Sequence, residues 1–366
     1  MNEAAPLRRS TRVLFLTKYG RRAASTRFRV LQYLPYFEQC GLDVEVRPLL
    51  GDTYLTQKLD EGRSGALEAV KGMIDRLLTL REVRQFALVV VHMEALPYLP
   101  AFFERALTRL GVPYVYDFDD ASFHQYDQDL RWIVRRVLSG KIPRVIEGAA
   151  LVTAGNEYLA SYARQFNSNV SIVPTVVDVE KFAPAQAPTP RDRVVIGWIG
   201  SPSTAAYVVE RERVWQAVTG NRRSSLRLVG AGPVSFGTVE VDARPWREDT
   251  ETAEVRDFDI GIMPLKDDAW SRGKCGFKLI EYLSCGVPVV ASPVGVNARI
   301  VQDGETGFLC STDEQWIARL TQLVDDASLR RAMGARGRDA IRQHWSLQRW
   351  GPQLAGLLSN AAREAA

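Results

Sequence analysis

No stretch of this chain stays apolar for the roughly 18 residues needed to span a bilayer. The longest apolar block, "FALVVVHM" at residues 86–93, has the length of a strand. The opening "MNEAAPLRRSTR" lacks the apolar centre of a secretory signal. Cysteine is scarce: Cys40, Cys275, Cys285 and Cys310 contain no CxxC pair. That argues against a disulfide framework or a zinc site and points to the cytoplasm. Net charge is scarce too, and +4 is too mild to indicate a nucleic-acid partner.

What is present is enough apolar material, 46% of 366 residues, for two cores. The basic charge is concentrated. Residues 1–30 hold eight Arg/Lys against one Glu, and "RWIVRRVLSGKIPR" (131–144) mixes arginines with aliphatics. Two readings of that segment stay open: a solvated helix face, or contact with an anionic membrane surface or a phosphate-bearing acceptor.

Along the chain, "RVLFLT" (12–17) reads as a strand. A loop follows, then a helix capped at Ser25 or Thr26 that runs to Gly41, then the strand "LDVEVRPL". This is the opening of a parallel α/β sheet. A helix over 68–84 leads to the strand 87–92, and another leads to "PYVYDFDD" (113–120). Segments 150–156 and 170–178 read as later strands. The proline-rich "APAQAPTPRD" (183–192) has the composition of a linker. A second α/β series follows, with "RVVIGWIGS", "SLRLVGAGP", "FDIGIMPL" and "VPVVASP" as its strands and a helical tail from about 313.

Ligands of open parallel sheets bind beyond the carboxyl ends of the strands. Four loops of the second half qualify. "GWIGSPST" offers Gly200 for a tight turn and Ser201 and Ser203 at a helix start. "VGAGP" contains Gly230. "PLKDDAWSRGKCGFK" carries Arg272, Lys274, Cys275, Gly276, Phe277 and Lys278, and "ASPVGVN" contains Gly295. Three cations beside a helix start that follows a glycine suit a diphosphate. Glu281 sits in the helix that follows; it is either a ribose acceptor or an ordinary surface acid. In the first half, Gly20 permits a sharp turn after the first strand, and Arg27 and Arg29 are phosphate or acceptor candidates, or plain surface arginines. His92 and Glu94 end a strand; His92 reads as a satisfied core histidine and Glu94 as the better acceptor candidate. "DFDD" (117–120) either binds a sugar or caps the next helix.

From 264 to 308 the sequence resembles the nucleotide-sugar site of retaining GT-B glycosyltransferases of family 4. "EYLSCGVPVVASPVG" and "IVQDGETGFL" carry the resemblance, and "STRFRVLQYLPYF", "YDFDDASF" and "IGWIGSPST" extend it to a bacterial branch. The resemblance implies an α/β GT-B fold, two Rossmann-like doubly wound domains facing across a cleft. They would span 1–183 and 193–345, joined by a linker at 184–192, with a helix at 346–366 returning to the N-terminal domain. It implies hexosyl transfer from a nucleotide-diphosphate sugar to an acceptor hydroxyl, with retention and without a metal or other cofactor. The setting would be cell-envelope glycan, glycolipid or polysaccharide synthesis in the cytoplasm or at the inner face of the membrane, on a hydroxyl acceptor that is free or lipid-linked.

By the same resemblance Glu281 holds the ribose, and the amides of Cys275, Gly276 and Phe277 hold sugar hydroxyls and diphosphate. Asp119 takes the place of a histidine near the donor sugar. The family's first glutamate belongs at 273, where this chain has Gly273, and its usual basic pair after the first strand of the second domain is replaced by "GSPST". Cationic charge then falls to Lys278, with Arg272 or Lys274. Rival readings are a metal-dependent GT-A enzyme using "DFDD", a Rossmann oxidoreductase using the lone "GAG", a non-catalytic nucleotide-sugar-binding subunit, and a GT-B-fold epimerase. A second Rossmann-like domain, the linker and the Glu281 block disfavour the first, and the absence of a third glycine disfavours the second.

Overall fold

The computed structural model describes residues 11–59, 65–185 and 191–364. The first ten residues of the basic N-terminus and positions 186–190 of the expected linker lie outside the described residues. The chain divides into two compact units, Met1–Thr175 with Trp350–Ala366, and Val176–Arg349.

The first unit is built on β1 (Thr11–Tyr19), β2 (Leu42–Leu50), β3 (Leu88–His92), β4 (Tyr114–Phe118), β5 (Leu151–Ala154) and β6 (Val170–Ile172). Their order is β2-β1-β3-β4-β5-β6, and every described pairing is parallel. β3, β4 and β5 are buried along their whole length, as near-continuous apolar runs covered on both faces should be. Pro48 is accommodated in β2 because β2 is an edge strand.

The second unit holds β7 (Val194–Ile199), β8 (Ser224–Val229), β9 (Val241–Arg244), β10 (Ile260–Met263), β11 (Val289–Ala291) and β12 (Gly307–Leu309). They are parallel in the order β12-β11-β10-β7-β8-β9. This is the doubly wound order in which the chain reverses direction between β7 and β10. Its core includes Trp198, Trp215 and Trp316, the last two in edge-to-face contact at 6.1 Å.

Several expected elements differ. The helix expected from Ser25 to Gly41 is three pieces, Ala24–Arg29, a 3₁₀ turn Leu31–Tyr33 and Leu34–Gln39. Pro35 has no N–H to continue the ladder and occupies the first turn of the last piece. Thr26 does not cap; its hydroxyl donates to the Tyr19 carbonyl at 2.8 Å. The strand expected over 170–178 ends at Ile172, ahead of Pro174, and Val177 instead bridges to Ser346. The helix expected over 68–84 runs Ala66–Thr79. The tail forms three helices, Asp313–Asp325, Ala327–His344 and Leu347–Glu364.

One contact matters for the site. The helix Phe277–Ser284 packs across β10, and the buried Tyr282 hydroxyl accepts the Ile199 N–H at 3.0 Å. Tyr282→Phe leaves that buried donor unsatisfied. We expect a loss of about 1–3 kcal/mol in unfolding free energy, measured by denaturant titration of both proteins.

Candidate active site

The reversal between β7 and β10 places the loops that follow these strands side by side. Gly200 ends β7, and its N–H donates to the Val229 carbonyl of β8 at 3.0 Å. A Cβ at Gly200 would lie 2.5 Å from the Trp198 ring and 2.9 Å from Lys278 Cε. Only hydrogen at that position lets the three meet. Gly230, with φ +76°, comes equally close: its Cβ would fall 2.3 Å from the Gly200 carbonyl oxygen. The Lys278 ammonium lies over the Trp198 ring at 5.5 Å. Ser201 and Ser203 exchange a hydroxyl bond of 2.8 Å at the start of the helix Pro202–Val209. The structure thus brings Gly200, Ser201, Ser203, Gly230 and Lys278 to the carboxyl ends of β7 and β8.

The loop after β10 leads to the short helix Ala269–Arg272 and then to Gly276, the N-cap of Phe277–Ser284, with φ +68°. Ile300 and Val296 fill the space a Gly276 Cβ would need. Gly295 seats its backbone against the Arg272 carbonyl. Arg272 is half exposed and engaged by Asp267 at 2.7 Å, so its charge is partly spent within its own loop. The Lys274 ammonium stands 5.9 Å from the Trp270 ring centre, and Cys275 is a buried free thiol. Glu281 is 2% exposed, which removes the reading of it as an ordinary surface acid. Burial pushes the Cys285 thiol one turn on up to about 12, with the Glu281 carboxylate adding to the push.

Sequence reasoning missed two residues here. Trp198, two positions before Gly200 and so on the same side of β7, supplies the surface on which Lys278 rests. Asn297 is buried, donates to the Ser292 carbonyl at 3.1 Å and leaves its own carbonyl oxygen without a hydrogen-bond partner beside Gly276. The pairing of Trp198 with Gly200 was legible as a strand period; nothing in the local pattern marked Asn297.

In the first unit the acidic run after β4 divides. Asp117 is buried, and its oxygens accept from Arg29 Nε at 3.2 Å, from Arg29 Nη2 and from the Thr153 hydroxyl at 2.6 Å, with His92 Nδ1 at 2.8 Å. Burial alone would raise this carboxyl; Arg29 and His92 outweigh it and hold it well below the usual carboxylate range. Arg29 also donates to the Val173 carbonyl at 2.6 Å. It is therefore neither a surface arginine nor an acceptor contact, because its guanidinium is consumed by a buried acid and a carbonyl. Arg27 is buried as well, its guanidinium 5.2 Å from the Phe28 ring centre. Glu94, expected to face an acceptor, is instead buried against Lys141 and the Tyr126 hydroxyl, with Lys18 at 3.7 Å.

His92 is a buried core histidine, as its position suggested, but only Nδ1 is engaged, by Asp117; its Nε2 is buried without a hydrogen-bond partner. Asp119 is half-buried beyond the end of β4. Gly20 closes β1, donating to the Leu50 carbonyl at 2.9 Å with the Asp52 carboxylate pressed against it. Met93, between His92 and Glu94, has φ +66°, a left-handed conformation that is costly for a side chain and typical of ligand-facing strand ends.

Residues 196–326 match the family model described as Glycosyl transferases group 1. The chain is 28% identical over 284 residues, 66% of its length, to a D-inositol 3-phosphate glycosyltransferase of Stackebrandtia nassauensis. It is 29% identical over 275 residues to a GDP-mannose-dependent alpha-(1-6)-phosphatidylinositol monomannoside mannosyltransferase of Mycolicibacterium smegmatis, covering 65% of this chain and 69% of that one. In fold it is similar to HepE of Anabaena, solved in complex with UDP and glucose, with a TM-score of 0.67, 15% identity, and 96% of this chain and 100% of that one covered. The chain has the α/β GT-B fold, and its second half resembles the group 1 glycosyl transferases.

The match spans 62% of the Stackebrandtia protein, less than two thirds of its length. The region shared with the family model contains every donor-side candidate, from Gly200 to Glu281, and none of the acceptor-side ones. Gly273, where the resemblance places a glutamate, ends the helix Ala269–Arg272 with its N–H donated to the Trp270 carbonyl at 3.1 Å. The GT-A reading falls with the fold, and with Asp117, whose oxygens are taken up by Arg29, Thr153 and His92.

The Asp117 cluster makes a pH-dependent prediction. The folded carboxyl titrates below its unfolded value of about 3.9. Its stabilisation is therefore complete above that pH and is lost as pH falls toward the folded value. Asp117→Asn strands Arg29 and should cost about 3–5 kcal/mol at neutral pH. Denaturant unfolding followed against pH should show the gap to wild type narrowing below about pH 4.

Proposed function

We propose that this protein is a family 4 glycosyltransferase that moves a hexose from a nucleotide-diphosphate sugar to an acceptor hydroxyl, with retention and without a metal. The observation that carries the reading is the convergence of Gly200, Gly230 and the Lys278 ammonium with the N-terminus of the helix Phe277–Ser284, at the point where the sheet order reverses. Hydrogen-only positions let a diphosphate approach backbone amides, and Lys278 and the helix dipole meet the charge that grows on it as the glycosidic bond breaks. Glu281 would accept from the ribose hydroxyls and Asn297 from a donor hydroxyl. Lys274 and Arg272 add positive field, Arg272 less because of Asp267. The acceptor proton would pass to a leaving phosphate oxygen, so no strong side-chain base is required. Asp119, beyond β4, is the carboxylate offered to sugar hydroxyls in the first unit.

The named relatives act on inositol phosphate and phosphatidylinositol mannoside, which favours a phosphate-bearing or lipid-linked acceptor and a place in envelope glycolipid or polysaccharide synthesis. The HepE complexes with UDP, glucose and UDP-glucose make UDP-sugars a first choice of donor, and the mannosyltransferase makes GDP-mannose a second.

A thermal-shift screen against UDP-, GDP- and dTDP-sugars identifies the donor; roughly 100 Kd of the right one adds about 2.7 kcal/mol of apparent stability. With that donor, Lys278→Ala should lower kcat by ~100-fold or more with a smaller change in KM. A raised KM alone would remove Lys278 from the leaving-group role. Glu281→Ala should weaken nucleotide binding by at least ~10-fold in calorimetry, the loss of a charge-assisted hydrogen bond. Unchanged affinity would exclude the ribose assignment.

A further inference from the structure

The helix Ala66–Thr79 of the first unit is amphipathic in the reverse of the usual sense. A surface helix turns its apolar stripe to the core and its polar side to water. Here the inward side carries Gly72, Arg76 and Thr79. A Cβ at Gly72 would run into the Leu49 carbonyl oxygen, so the helix backbone lies directly on β2. Arg76 is buried and donates to the carbonyls of Thr17 and Arg47, each at 2.9 Å, and of Ala95 at 3.3 Å. Those carbonyls belong to β1, β2 and the loop after β3, and together they fix which way the helix faces.

The outward side is apolar. Leu67 is 86% exposed, Val70 58% and Ile74 52%, and Leu77 and Leu78 stand out beyond them. A single exposed leucine is ordinary, but a contiguous row of large apolar side chains marks a contact surface. Leu67, Val70, Ile74 and Leu77 follow one another at intervals of three, four and three residues. That is the spacing by which one helix seats against another. Glu68, Lys71 and Asp75 flank the row. Lys71 and Asp75 are exposed one turn apart, in the less favourable order for a pair on one helix, and neither is in an ion pair among the described residues. Two acids to one lysine do not suit an anionic partner.

We propose that this row seats the same helix of a second copy of the chain, the two helices antiparallel about a two-fold axis at the level of Gly72. The spacing is self-complementary in that direction. Leu67 meets the partner's Leu77 and Val70 meets the partner's Ile74, so each copy contributes the same residues, as an isologous contact requires. The antiparallel direction also brings Lys71 to the partner's Asp75 on both sides of the axis. A parallel pair would set Lys71 against the partner's Ala66 and Met73 instead. A seam of one helix from each copy is small beside the roughly 1,200–2,000 Å² of a standard interface, which sets the expected affinity in the micromolar range. The contact needs no nucleotide and is independent of the donor reading.

Sedimentation equilibrium of the full chain, over about 1 to 100 µM, tests it. Wild type should show a monomer–dimer equilibrium in that range. Val70→Asp with Ile74→Asp should raise the dissociation constant at least ~100-fold, since the carboxylates would have to be buried in the seam. An unchanged far-ultraviolet circular dichroism spectrum shows that the helix persists in that variant. Lys71→Glu, at an exposed position, should weaken the dimer ~10-fold, and adding Asp75→Lys should restore it to within ~3-fold. A wild type that stays monomeric at about 100 µM overturns the proposal, and so does a dimer indifferent to Val70→Asp with Ile74→Asp. Monomers that bind phosphatidylcholine vesicles through the same residues overturn it as well and assign the row to lipid. A dimer that Lys71→Glu leaves unchanged, or that the exchange of charges fails to restore, overturns the antiparallel pairing.

Discussion

The candidate site of the second unit depends on one close approach. At the end of β7 the backbone of Gly200 lies against the Gly230 backbone on one side and the Lys278 side chain on the other, over the Trp198 ring. Any Cβ at Gly200 or Gly230 would separate these parts by more than a side chain can yield. The same contact fixes the helix Phe277–Ser284, since Lys278 belongs to its first turn and Tyr282 holds the Ile199 N–H from its far side. A cation at a helix N-terminus is electrostatically unfavourable. The fold holds the Lys278 ammonium there over the Trp198 ring. A position maintained against the helix dipole is one at which a dianionic ligand gains from both.

The first unit solves its own central problem with charge. Asp117, at the carboxyl half of β4, gathers Arg29, His92 and Thr153 from three other elements. Glu94 does the same for Lys141, Tyr126 and Lys18. Such buried acids give little net stability but are costly to break, so they act as registers between strand ends. This is why residues that looked ligand-facing by their place after a strand are interior ones. A strand end in an open sheet is as convenient for a structural ion pair as for a substrate, and only burial separates the two cases.

The architecture was largely legible. Apolar runs of strand length alternating with helical periods, repeated on both sides of a proline-rich stretch, are enough to expect two parallel sheets. The shortest strands were not legible. "VDAR" (Val241–Arg244) is polar because, at the sheet edge, Asp242 pairs with Arg227 of β8 and Arg244 with Glu254, and three-residue β12 carries too little pattern to be read. Within the site, the glycines and Lys278 were visible as residue types at turn and helix-start positions. Their mutual contact was not, because Gly200, Gly230 and Lys278 are separated by tens of residues and meet only through the order of the strands. Arg29 was misread for the same reason, its partner lying in β4. Glu281 had two readings that burial alone could decide.

Gly273 and Gly276 show which glycines the fold requires. Gly276 is left-handed and packed against Ile300, so its identity follows from the backbone. Gly273, three residues earlier, has φ −78° and ψ −11°, torsions that any residue adopts. These torsions by themselves admit the glutamate that the resemblance places there. The absence of that carboxylate changes what the site offers a ligand. In the proposed reaction the diphosphate is gripped by Lys278 and backbone amides, which this chain keeps, while the hydroxyls of the transferred sugar lose an acceptor. In that proposal the sugar is selected by other contacts, for which the buried Asn297 oxygen beside Gly276 is a candidate.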